Sequence, residues 1–336
     1  MPDLDRDYRL INAAIATGDL GKAGFESSTN FAKIGLKPQT VRTFIHGPSQ
    51  INAAFLGERS EGGYILAFRG TLSGPGEDET AVCLDWTQDR DYRMVPWVMA
   101  HMAAGHIPHG FWTAFDDLWT HAGLEAAVAD LYRRDRNVSL WITGHSKGGA
   151  LAILAATHLT NTFGPPQYAR PEIVTFGAPR VGSPEFVRVY GVCGLEAQTV
   201  RYQTRYDIVA KVPEVYLAGE PDSKCPGLQA PFLPVPGYTS SVGALTYIAS
   251  DSSSHTYPMQ TGPNAERDYL ASIDELGHMD AAVAKALIGI AHYPKGGYLL
   301  AFGRDPIQAA VSLAQSETPW SGAKPASATA EAPPDA

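Results

Sequence analysis

The stretch from Leu140 to Ala156 constrains this chain more than any other. Leu140-Trp141-Ile142-Thr143 is a short apolar run, Gly144-His145-Ser146-Lys147-Gly148 follows, and small and apolar residues continue through Ala156. The order predicts a buried strand, a sharp turn and a buried helix. Such an elbow lifts a serine Oγ above the sheet edge and sets it before a helix N-terminus, where partial positive charge favours a developing anion. Gly144 and Gly148 fit the crowded inside of that turn, where a side chain would strike its neighbours. The bland alternative is a chance match in a glycine-rich loop, and the flanking strand and helix argue against it.

The rest of the chain reads as α/β. Helical spacing of Leu10, Ile11, Ala14, Ile15 and Leu20 predicts a first helix over 8–24, and strands are expected at 40–45, 52–56 and 63–68. Residues 72–80 are turn-rich and acidic, either a solvated loop or a mobile cover over a site. The patch Met94 to Met99 suits core or the lining of a substrate entrance equally. Helices at 112–121 and 123–134 precede the elbow, and strands at 172–176 and 198–202 follow it. This alternation predicts a mixed, mostly parallel sheet with helices on both faces. Beyond it come an irregular Pro- and Gly-rich segment at 213–238, a strand at 241–249, two helical patterns within 264–290 and a last helix from Pro294. One domain over 1–315 and a disordered Pro/Ala/Ser/Glu tail over 316–336 are expected.

Composition narrows the partners. A net charge of −9 on 336 residues opposes nucleic acid binding and simple docking on anionic lipid. The N-terminus lacks the basic flank and apolar core of a signal peptide, so a cytoplasmic location or export by a leaderless route is expected. No apolar run approaches the roughly 20 residues that span a bilayer. Cys83, Cys193 and Cys225 show no ligand spacing, and reduced structural thiols are expected, with no metal site and no cofactor.

A serine needs a base to take its proton and a carboxylate to orient that base. On a fold of this kind the partners follow in the order serine, acid, histidine. Asp207, just beyond the strand ending near Tyr202, is the natural acid, a surface-turn aspartate being the bland alternative.

Six blocks then resemble, in order, the class 3 (fungal-type) triacylglycerol lipases. They are Phe68-Arg69-Gly70-Thr71, Trp86 with Asp89, His109-Gly110-Phe111, the elbow from Gly144 to Ala152, Thr175-Phe176-Gly177-Ala178-Pro179-Arg180-Val181-Gly182, and Asp207-Ile208-Val209. The likeness covers about 63–213 and weakens beyond. It implies an α/β-hydrolase fold and carboxylic-ester hydrolysis through an acyl-enzyme, with Ser146 as nucleophile and Asp207 as acid. It further implies an oxyanion hole from the N–H groups of Thr71 and Lys147, a lid over about 72–89 and an insertion over about 213–290. Lys147 departs from the family's usual leucine. A cation there is expected either to favour anionic head groups, so that Lys147→Leu would shift head-group preference, or to alter the contact with the lid.

Three histidines follow the acid. His278 falls in a helical pattern and reads as a surface residue, leaving His255 in a serine-rich loop and His292 before the last helix. His292, with Tyr298 a few residues on, resembles the family's base and is preferred, with His255 as the alternative. The substrate implied is an acylglycerol or related lipid ester, in solution or at a lipid–water interface. A phospholipase or short-chain esterase on the same site, a peptidase on the same fold, and a binding protein that has lost activity are the competing readings.

Overall fold

The computed structural model describes residues 3–22, 28–73, 76–163, 171–213, 225, 241–249 and 257–302. Strands β1 (Arg42–His46), β2 (Asn52–Glu58) and β3 (Tyr64–Phe68) form an antiparallel meander after helices α1 (Leu4–Ala16) and α2 (Ser28–Lys33). Helix α3 (Glu79–Asp89) leads into a separate hairpin, β4 (Met94–Met99) with β5 (Met102–Pro108). Helices α4 (His109–Asp116) and α5 (Leu124–Arg134) precede the elbow strand β6 (Leu140–His145) and its helix α6 (Lys147–Phe163). Then come β7 (Glu172–Phe176), α7 (Pro184–Val192), β8 (Thr199–Thr204), β9 (Ala244–Ile248), β10 (Met259–Thr261), α8 (Pro263–Leu276) and α9 (Ala281–His292).

The main sheet has the order β1-β2-β3-β6-β7-β8-β9-β10. Its middle, β3 through β9, is parallel and its two ends are antiparallel, as the expected mixed and mostly parallel sheet requires. The period-2 alternation of strands sorts the core into two layers. Leu66, Phe68, Leu140 and Ile142 face α4, α5 and α6 on one side, while Ile65, Ala67, Val174 and Phe176 face α1 on the other. Both faces are thus covered, which explains why the central strands read as continuous apolar runs.

Of Met94 to Met99, Trp97 and Met99 are core, Trp97 Nε1–H donating to Thr157 Oγ1 at 3.1 Å, while Pro96 and Val98 are exposed. The range expected as an insertion, 213–290, supplies β9, β10, α8 and nearly all of α9. The tail at 316–336 lies outside the described residues, as does most of 213–238. The expectation of three reduced thiols is overturned: Cys83 on α3 and Cys225 form a disulfide with Cα atoms 5.3 Å apart, and only Cys193 stays a buried thiol. The two partners are 142 residues apart in sequence, so no spacing rule could pair them.

Candidate active site

Ser146 sits at φ +55°, in the left-handed region that non-glycine residues rarely occupy. The surroundings over-determine this geometry, as strain of this kind requires. Its N–H donates to Phe176 O on the neighbouring strand at 3.0 Å, and its carbonyl accepts from Gly149 N–H at 2.9 Å as α6 begins. A Cβ at Gly144 would lie 2.1 Å from the backbone of Gly148, so the sharp return of the chain depends on glycine there.

Asp207 is fully buried at the end of β8 and caps the short turn Ile208–Lys211, its Oδ1 accepting Val209 N–H at 3.0 Å. Tyr298 O–H donates to Oδ2, and Tyr269 O–H donates to the Asp207 carbonyl at 2.8 Å. Burial, then the nearby Asp207 charge, pushes both phenols well above their ordinary pKa, so both stay protonated donors. His292 closes α9. Its Nδ1–H lies 3.0 Å from each Asp207 oxygen, and its Nε2 lies 2.9 Å from Ser146 Oγ and can accept that hydroxyl's proton. Behind it, His145 Nε2–H donates to the His292 carbonyl at 2.7 Å, and the two rings lie tilted by 37° with centroids 4.6 Å apart.

Of the sequence-predicted residues, Ser146, Asp207 and His292 come together. His255 lies outside the described residues, and His278 is an exposed residue beside Asp274 on α8. Thr71 and Lys147 line a cavity of about 40 Å³ with Ser146, His292, Trp86, Tyr92 and Phe111. Lys147 corrects one expectation. The residue is 2% exposed, and its ammonium pairs with buried Asp85 rather than facing solvent. The lid-contact alternative is the one that the geometry favours. Asp89, within the same group and bonded to the Thr71 hydroxyl, has its pKa raised to about 7, by burial first and Asp85 second, against the lowering effect of Lys147.

Sequence reasoning missed Asp85, Tyr269 and the role of His145. Asp85 and Asp89 recur at i, i+4 on α3, a spacing that places them on one face but does not say what that face meets. Among the described residues no cluster of three or more His, Cys, Asp or Glu could hold a metal ion, and no helix is long and apolar enough to cross a membrane.

Residues 65–217 match the family model of the class 3 lipases. A secreted mono- and diacylglycerol lipase of Gibberella zeae is 37% identical over 81 residues, 24% of this chain and 25% of that one. A phospholipase A1 of rice is 25% identical over 193 residues, 52% of this chain and 45% of its own length. The chain thus spans less than half the length of either curated relative. The Rhizomucor miehei lipase in its propeptide complex superposes with a TM-score of 0.54 at 20% identity, over 77% of this chain and 71% of that one, a likeness of fold. The chain has the α/β-hydrolase fold, and its segment 65–217, with the Ser146 elbow at the centre, matches the class 3 lipases.

Proposed function

We propose that the protein is a serine carboxylic-ester hydrolase acting through an acyl-enzyme on acylglycerols or related lipid esters. The observation that carries this reading is His292 bridging Asp207 at 3.0 Å and Ser146 Oγ at 2.9 Å. His292 Nε2 takes the hydroxyl proton as Ser146 Oγ attacks the ester carbonyl, and Asp207 holds the ring in the required tautomer and stabilises its cation. The oxyanion meets the N–H groups of Thr71 and Lys147, the latter at the start of α6, and each such donor is worth about 3 kcal/mol in the transition state. His292 returns the proton to the leaving alcohol, and water then cleaves the acyl-serine by the same steps in reverse. The lid expected over 72–89 belongs to this reading, since Trp86 and Asp89 of α3 line the cavity.

A second reading, preference for short acyl groups, draws on the small cavity beside Ser146, about 40 Å³. Nitrophenyl esters of increasing chain length, together with a phosphatidylcholine, separate short-chain esterase, lipase and phospholipase. A serine-reactive phosphonate separates all of these from an inactive binding protein. We expect labelling that Ser146→Ala and His292→Ala abolish and His255→Ala leaves largely intact. No labelling, or labelling indifferent to Ser146→Ala, refutes the hydrolase reading, and loss with His255→Ala but not with His292→Ala reassigns the base.

A further inference from the structure

Lys147 follows the serine in the elbow, and its backbone N–H is one of the two oxyanion donors proposed above. Its side chain turns the other way. The ammonium is 1% exposed, forms an ion pair with Asp85, lies 3.7 Å from Asp89 Oδ1 and donates to Asn52 Oδ1 at 3.2 Å. Asp85 is fully buried, and its second oxygen accepts the backbone N–H of Leu72 at 2.8 Å. Asp89 accepts the hydroxyl of Thr71. The side chain of one donor residue and the loop that carries the other therefore converge on two carboxylates one turn apart on α3.

The backbones beneath are in contact as well. A Cβ at Gly70 would lie 2.8 Å from His145 O, and one at Gly148 would lie 2.3 Å from Phe68 O. These glycines let the end of β3 lie directly on the elbow. Close approach alone leaves the peptides after Gly70 free to rotate, and an oxyanion hole needs its donors aimed before the charge develops. A bond from Asp85 to Leu72 N–H fixes the peptide group immediately after Thr71. The ion pair then ties that carboxylate to the elbow. In a water-excluded place such a pair is retained only where its geometry and hydrogen bonds are nearly complete, so it tolerates one arrangement and penalises others.

We propose that Lys147 and Asp85 are positioning residues of the oxyanion hole: their buried ion pair, with Asp85 also holding the Leu72 peptide, fixes the Thr71 and Lys147 N–H donors relative to each other before substrate arrives. The proposal rests on the ester-hydrolase reading and deepens it. It gives the lysine a task that the family's usual leucine could not perform. It also makes the second half of α3 a fixed wall, so that any opening of the segment 72–89 hinges before Asp85.

The test compares Lys147→Met, Asp85→Asn and the double variant Lys147→Met/Asp85→Leu by kcat and KM on a nitrophenyl ester, by the rate of phosphonate labelling, and by melting temperature. Lys147→Met is expected to lower kcat by about tenfold or more with KM within about threefold, the signature of an interaction made in the transition state. Phosphonate labelling, which builds the same tetrahedral geometry, slows in proportion. Asp85→Asn, which keeps an acceptor for Leu72 N–H, loses less. The double variant removes both charges of the pair and leaves Asp89, bonded to the Thr71 hydroxyl, as the one carboxylate of the group, so it regains melting temperature without regaining kcat. A kcat within about twofold of wild type in folded Lys147→Met overturns the proposal, as does a double variant that recovers kcat together with stability. If Lys147→Met does not fold, the double variant decides. Absence of labelling in the wild type overturns the hydrolase reading and the proposal with it.

Discussion

His145 precedes the nucleophile and is 9% exposed. Burial first, and then the charge that His292 can carry, lowers its pKa from 6.5 to about 3. The ring is therefore neutral, with its one proton on Nε2, where the bond to the His292 carbonyl needs it. Because the folded pKa lies below the unfolded one, protons favour the unfolded chain. The stability due to His145 is complete above about pH 6.5 and is lost as pH falls toward 3. A melting temperature that falls over this window, and falls less in His145→Gln, is the expected result; an unchanged slope in the variant assigns the titration elsewhere. Ser146 and Asp207 were legible because their signals are local, a strand–turn–helix and a strand end. His292 was legible by its place after the acid and by Tyr298. The partners of Lys147 were not, since Asp85 lies 62 residues away and becomes a neighbour only when α3 packs against the elbow.

At the scale of elements, the hairpin β4–β5 was the main omission. Its strands are joined by Ala100 and His101 at φ +49° and +61°, a two-residue turn of the kind usually built from glycine or asparagine. With neither residue present, the sequence carries no turn signal there, and Met94 to Met99 showed only its hydrophobicity. Helix α7 was also unread, although Ser183 caps it and Pro184 opens it, because only nine residues follow before the next turn. The disulfide joins α3 to Cys225 across 142 residues. In the chain-entropy account, closing a loop of that length stabilises the fold by about 5 kcal/mol. Cys83→Ser is therefore expected to lower the melting temperature by about ten degrees, about two degrees being lost per kcal/mol in a domain of this size. Reduction of the wild type should reproduce the shift, and a melting temperature indifferent to reductant removes the cross-link from the account of stability.

For the whole molecule, the alternation of strands and helices was enough to expect a mostly parallel sheet covered on both faces, because burial there leaves a continuous apolar signature; the hydrolase fold itself was implied by the six-block resemblance. What binds the site together was less legible. Ser146 and Asp207 stand on the central sheet, whereas His292 arrives on α9, among whose described side chains Ala291 is the one buried apolar group, while Val283 is 52% and Ile290 40% exposed. Two bonds seat its end, Thr204 Oγ1–H to Ala291 O at 2.8 Å and His145 Nε2–H to His292 O at 2.7 Å. Segments with so little buried area open at lower free energy than the core around them. On warming, hydrolysis is accordingly expected to fail several degrees before the sheet loses its circular dichroism, with amides of α9 exchanging faster than those of β6 and β7; coincident loss would refute this. The proposed base thus rides on a detachable arm, and turnover becomes a gauge of that arm's docking well before the central sheet feels the heat.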